Sequence, residues 1–282
     1  MKQPKKEKLK ITIIFIKYPT FIVSKRRGKM KFYSYLGSIL CLSLFFLIFS
    51  VYDANISSAD RNVIKVVSLG DSITYGTGDS FKKGYIGRFK EIYERKNHIP
   101  MILTNNGVPK YTTEDILHQL EKNETGEMIK DATYITLYVG TNDFRKSAQY
   151  DFSSINVDEM QKGKIIYLEN LTEILEEIRK QNQTAPIFVM GLYDPYTDHK
   201  NHKQLSKLIE SWNTDIKEIV TKDNYATFVP TSDVFIDKPK NKYFADSLHL
   251  NRDGYHKLAI RLYETIDRYE ENMSQNNNSI NK

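Results

Sequence analysis

Five short β-rich apolar runs, separated by stretches of helical periodicity, constrain this chain more than any other feature. The runs lie at 63–69 (V-I-K-V-V-S-L), 99–105, 132–139, 185–192 and 226–230. Between and after them, apolar residues recur at helical spacing. Tyr255, Leu258, Ala259, Leu262, Ile266 and Tyr269 form one such stripe, and Ile165, Leu168, Leu171, Ile174, Leu175 and Ile178 another. Strands joined through helices pair in parallel, and a parallel sheet must be covered on both faces. The pattern predicts an α/β fold, a three-layer α/β/α sandwich around a five-stranded parallel sheet of flavodoxin-like type. No internal repeat interrupts it, and residues 63–271, about 210 in number, suit a single domain.

In an open sheet of this kind, reactive groups gather beyond the carboxyl ends of the strands. The first run ends in V-V-S-L-G-D-S-I-T, so Gly70 turns the chain and Ser72 stands just past the strand. A serine is inert until a base takes its proton. The segment A-D-S-L-H-L near the C-terminus offers one, with Asp246 and His249 three residues apart. On one turn the carboxylate would fix the imidazole tautomer and leave its other nitrogen for Ser72. The second and third runs end in T-N-N-G-V and V-G-T-N-D. The Gly107 N–H and the Asn142 side-chain amide there are candidate donors to a developing oxyanion.

G-D-S-I-T, the N-x-G of Asn105 to Gly107, G-T-N-D and the D-x-x-H of Asp246 and His249 follow one another in a familiar order. In order and approximate spacing the chain resembles the SGNH/GDSL hydrolases, in their GDSL-type lipase/acylhydrolase branch, over roughly residues 63–270. The resemblance implies the SGNH hydrolase fold and hydrolysis of carboxylic esters. It implies Ser72 as nucleophile with its own N–H in the oxyanion hole, Gly107 and Asn142 as the further donors, His249 as base and Asp246 as its partner. It calls for no cofactor and no metal. One departure concerns the loop after Gly107: family members often carry a second glycine three residues on, where this chain has Lys110. G-x-S-x-G is absent, which sets the chain apart from the α/β-hydrolase elbow.

The remaining polar residues have plainer readings. Asp71 and Asp143 are expected to hold their turns, and Asn105 to brace the Gly107 loop. Gly76 and Gly78 do not have phosphate-loop spacing. His199 and His202, with Asp194 and Asp198, read as a solvated loop rather than a metal site, and His256 as a surface residue. Trp212 reads as core packing, and Tyr193 or Tyr196 as candidate linings of an acyl pocket.

The formal charge of +6 does not mark a nucleic-acid binder. Residues 1–31 hold eleven Lys/Arg and one Glu, and the remainder carries 30 basic against 34 acidic residues. The basic segment 1–31 leads into an uncharged run, 32–52, that as a helix would span about 30 Å, the thickness of a bilayer core. Basic residues before the run and almost none after it predict the N-terminus inside and the rest outside. Its length favours a single-pass anchor, while Ser57-Ser58-Ala59 offers a cleavage site for a secreted form. Met30 is a second candidate start, and 53–62 reads as a linker. Cys41, the single cysteine, lies within the apolar run, so the exported domain has no disulfide; the residues before it do not suit lipidation. The polar tail 272–282 is expected to fray. The expected partners are an acyl-ester, lipid or acylated-glycan substrate and, through the N-terminal run, a membrane. The reading is an exported serine esterase. Its alternatives are a cell-wall carbohydrate O-deacetylase and a non-catalytic wall- or ligand-binding module on the same fold.

Overall fold

A computed structural model describes residues 63–280, with side chains to residue 276. The basic segment, the apolar run 32–52 with Cys41, and the linker lie outside the described residues. Among the described residues, no helix is long and apolar enough to cross a membrane.

Five parallel strands form one sheet in the order β2-β1-β3-β4-β5: β1 (Ile64–Gly70), β2 (Met101–Gly107), β3 (Tyr134–Tyr138), β4 (Ile187–Met190) and β5 (Ala226–Val229). Each falls within two residues of a run read from sequence. Side chains alternate across the pleat, and the two faces collect separate cores. Val67, Leu69, Ile135, Leu137, Ile187 and Val189 pack on one face. Against them lie α3 (Thr113–Leu120), α4 (Asn123–Lys130), α6 (Val157–Gln181) and α7 (His202–Val220). Val66, Tyr138, Phe188 and Met190 face the other way, onto α2 (Gly84–Asn97) and α9 (Arg252–Ile280). Covering both faces is what makes continuous apolar strands stable in parallel pairing. Three short helices, α1 (Ser72–Tyr75), α5 (Thr141–Ser147) and α8 (Lys240–Tyr243), and one 3-10 turn, Ser232–Phe235, complete the described residues.

The stripe on α9 packs as read, with Tyr255, Leu258, Ala259, Leu262 and Ile266 each wholly buried. On α6 Leu171, Ile174, Leu175 and Ile178 are buried as the stripe predicts, and only its first position departs. Ile165 is 48% exposed, while Lys164 and Tyr167 are buried. Lys164 Nζ lies 2.7 Å from Asp215 of α7, and the Tyr167 ring packs on Trp212 with centroids 5.0 Å apart. A lysine with a buried stem and a partnered head occupies a core-facing position that a hydrophobicity pattern assigns to an isoleucine. A second difference is the tail. α9 continues to Ile280, through most of the 272–282 segment expected to fray. No glycine or proline follows Gly254, and a helix nucleated by packed turns extends at little cost.

The strand order places a topological switch beside β1. The chain leaves β1 for β2 on one side and returns across it to β3 on the other. The crevice that opens there, beyond the carboxyl ends of β1 and β3, is where open α/β sheets bind ligands. Ser72, the loop after β2 and Asn142 all follow strand ends on this edge.

Candidate active site

The Ser72 turn is built from the residues around it. β1 ends at Gly70, with φ +153°, where an added Cβ would stand 2.2 Å from the Tyr138 carbonyl oxygen; only glycine fits. Asp71 Oδ1 then accepts from the Ile73 N–H at 2.8 Å and caps α1. This leaves Ser72 on the first turn of the helix, 6% exposed, with its N–H making no hydrogen bond among the described residues. Asp71 holds its turn as expected, but at a cost. Its side chain is fully buried and Oδ2 has no partner among the described residues. Burial, against the Ile73 hydrogen bond and with Asp143 nearby, pushes its carboxyl up to about 8.

His249 approaches from the segment between α8 and α9. The Phe244 and Leu250 backbones pair in an isolated bridge, and the Ala245 N–H bonds the His249 carbonyl at 2.9 Å, closing the segment at its base. Within it, Asp246 Oδ1 accepts from the N–H groups of Leu248 (2.8 Å) and His249 (2.7 Å). Its other oxygen lies 2.8 Å from His249 Nδ1. Burial tends to raise the Asp246 carboxyl, but the two backbone bonds and the imidazole contact outweigh it and hold the group below the usual carboxylate range. An ionised carboxylate only accepts, so Nδ1 carries the proton and Nε2 is the free acceptor. Nε2 stands 3.1 Å from Ser72 Oγ. The arrangement can draw the serine proton onto the imidazole and stabilise the cation formed.

Of the two further donors, one is available and one is engaged. Asn142, buried on the first turn of α5, gives one amide hydrogen to the Tyr111 carbonyl at 3.0 Å and keeps the other. Gly107 donates its N–H to Asn105 Oδ1 at 3.0 Å. The reason lies in the strand: Val108 N–H points to Gly70 O on β1, so the N–H before it points away. What Gly107 supplies is room, since a Cβ there would lie 2.5 Å from the Tyr75 nitrogen. Asn105 braces this approach as read, its Nδ2 bonding Thr74 O at 2.9 Å. Lys110 sits at φ +74° in the turn closed by Tyr111 N–H to Val108 O at 3.2 Å. That is the third position of a type II turn, normally a glycine's. Its N–H makes no hydrogen bond among the described residues.

Asp143 anchors α5 to α3, accepting from Thr113 Oγ1 at 2.6 Å. Tyr193, read as a possible pocket lining, instead donates its hydroxyl to Leu248 O at 2.7 Å and so braces the His249 segment. Tyr196 packs between Phe144 and Phe152. His199 Nδ1 accepts from the Asn201 N–H at 3.1 Å, and His256 is exposed. No group of three His, Cys, Asp or Glu suited to a metal occurs among the described residues.

The pattern of the GDSL-like lipase/acylhydrolase family matches residues 68–257, from within β1 to the first turns of α9. The chain belongs to that family. As a GDSL hydrolase it acts on ester bonds. A Bacillus subtilis relative, the uncharacterized protein YpmR, is 28% identical over 207 residues, which cover 72% of this chain and 81% of the relative. Among solved structures, the lipase Lip_vut3 from a goat rumen metagenome is 22% identical with a TM-score of 0.64, covering 72% of this chain and 97% of its own. A Clostridium thermocellum family 3 carbohydrate esterase is 18% identical with a TM-score of 0.56, at 75% and 98% coverage. The Geobacillus stearothermophilus acetylxylan esterase Axe2, known with catalytic substitutions of a serine, a histidine and an aspartate, is 17–18% identical with a TM-score of 0.56, at 72% and 94% coverage. At these identities the structures share the fold with this GDSL hydrolase.

Proposed function

We propose that this GDSL hydrolase is an exported, membrane-tethered serine esterase in which Ser72, His249 and Asp246 act as a triad. The observation that carries the reading is the unbroken line of contacts from Ser72 Oγ to His249 Nε2 (3.1 Å) and from Nδ1 to Asp246 (2.8 Å). Ser72 Oγ attacks the ester carbonyl carbon as its proton passes to Nε2. The oxyanion is received by the Ser72 N–H and the free hydrogen of the Asn142 amide. Gly107 joins them only by exchanging Asn105 Oδ1 for the substrate oxygen. The tetrahedral centre expels the alcohol, which takes the proton from Nε2. Water, deprotonated by the same nitrogen, then attacks the acyl-enzyme and releases the acid and Ser72. The uncharged run 32–52 with basic residues before it supports the tether and an outward catalytic domain, or a secreted one if the chain is cut near Ala59.

A second reading is O-deacetylation of wall carbohydrate, supported by a cleft with amide, hydroxyl and charged groups among its lining. A cavity of about 420 Å³ lies beside α5 and is lined by Thr112, Glu114, Asp143, Lys146, Gln149 and Asn170 among others. Its lining includes Asp143, the residue after Asn142, but none of Ser72, Gly107, Asn142 or His249. Amide, hydroxyl and charged groups suit a sugar better than a fatty chain. A binding module without catalysis would not need an aligned serine, imidazole and carboxylate. Release of acetate from an acetylated glycan, compared with fatty acid from a long-chain ester, separates the two esterase readings. Failure to cleave either ester, or a short-chain aryl ester, would sink both.

A further inference from the structure

We propose that Asp79 and Arg88 are positioning residues for His249, acting through the loop 76–84; this rests on the reading of His249 as the base for Ser72. The Asp79 side chain is completely buried and holds five contacts. It accepts from the N–H groups of Phe81 (3.1 Å), Lys83 (3.0 Å) and Gly84 (3.0 Å), and from Arg88 Nη2 at 2.8 and 2.7 Å. Burying a carboxylate is unfavourable unless every lone pair is met, and here the donors are the loop's own backbone and a guanidinium fixed on α2. The carboxylate thereby pins the loop backbone at three points to α2.

The residue next to Asp79 is the one that meets the site. At Gly78, φ +89°, an added Cβ would lie 3.1 Å from His249 Cβ, 3.0 Å from Ala245 Cβ and 2.6 Å from Leu250 O. The loop backbone is thus the wall on which the His249 segment rests. Tyr255 ties the two from below, its hydroxyl bonding Thr77 O at 2.6 Å from the start of α9. His249 stands on an irregular segment, so its 3.1 Å reach to Ser72 depends on what stops the segment from backing away. A shift of about 1 Å is enough to break such alignment. Asp79 and Arg88 set that stop without touching the reacting atoms.

Three variants of the full chain test this. Asp79→Asn removes the charge at constant shape, Arg88→Lys keeps a cation without the planar guanidinium, and Gly78→Ala leaves the ion pair intact while pressing on His249. The readouts are kcat and KM on a short-chain aryl ester, and the low-field proton resonance of His249 Nδ1 held by Asp246. Asp79→Asn and Gly78→Ala should each lower kcat about tenfold or more with KM held within about twofold, and should shift or erase the resonance. Arg88→Lys, which keeps the charge, should show a smaller loss of kcat and a smaller shift than Asp79→Asn. Folded Asp79→Asn and Gly78→Ala proteins with kcat within about twofold of the parent and an unmoved resonance would overturn the proposal. If Asp79→Asn does not fold, Gly78→Ala decides by the same criteria. If Ser72→Ala still hydrolyses ester, the triad reading fails instead, and the resonance, which needs only His249 and Asp246, still decides this one.

Discussion

The two halves of the site are held in different ways. Ser72 is 6% exposed, on a turn pinned between β1, β3 and β2 by Gly70, Asp71 and Gly107. The Asp246 side chain is 51% exposed, on a segment outside the sheet that is closed by a single bridge and leans on Gly78 and Tyr193. Ser72 inherits its position from the register of parallel strands, which cannot shift without disturbing both cores. His249 receives its position from braces contributed by two other parts of the chain, at Gly78 and Tyr193. Precision at Ser72 is therefore a property of the fold, and precision at His249 a property of local contacts that single substitutions can loosen.

Substitutions on the sheet side should give the larger effects. Asn142→Ala removes the free amide donor and should cost about 2.7–4 kcal/mol in the barrier, read as a fall in kcat with KM little changed. Gly107→Ala places a methyl group 2.5 Å from the Tyr75 nitrogen and should destabilise the domain by about 1–3 kcal/mol in a denaturant titration. Equal stability would show that β2 and α1 have slack between them.

Asp71 gives a pH-dependent test of the same side. Its carboxyl is held near 8 in the fold against an ordinary 3.8, so the folded state keeps a proton that the unfolded chain releases. Stability from this group is full below the ordinary value and is lost as pH rises toward 8. Asp71→Asn should flatten the decline, raising the melting temperature at pH 8 relative to its change at pH 5. An unchanged pH profile would mean that Asp71 is ionised in the fold. On the loop side, Tyr193→Phe removes one hydrogen bond to Leu248 O and should cost only about 0.5–1.5 kcal/mol in stability. Its kcat should fall by more than its melting temperature suggests, since the brace acts on the residue before His249.

What was legible in the sequence follows the same division. All five strands are readable because β-branched runs and helical stripes are local signals, and the same reading places Ser72 and Asn142 past strand ends. The spacing of Asp246 and His249 announced a shared turn, and the contact between them is there at 2.8 Å. Less was legible where direction rather than spacing decides. That the Gly107 N–H faces Asn105 depends on strand alternation and on a side-chain rotamer. That Lys164 displaces Ile165 from the core depends on Asp215 being opposite. The braces at Asp79, Arg88 and Tyr193 join residues up to 55 apart in sequence, and no motif advertises them. The Asp of G-T-G-D, nine residues before an arginine on the next helix, was the one hint available. The helical end of α9 departs from the fraying that its polar composition predicts, and the absence of glycine and proline after Gly254 is the better guide.

The central claim is that the imidazole of His249 activates Ser72. Its most direct test is labelling of the folded protein with a fluorophosphonate, followed by mass mapping of the modified residue. The account predicts one label, on Ser72, lost in Ser72→Ala and slowed by at least about 100-fold in a folded His249→Ala protein. A folded parent that takes no label, or takes it at another residue, or labels equally fast without His249, would contradict it.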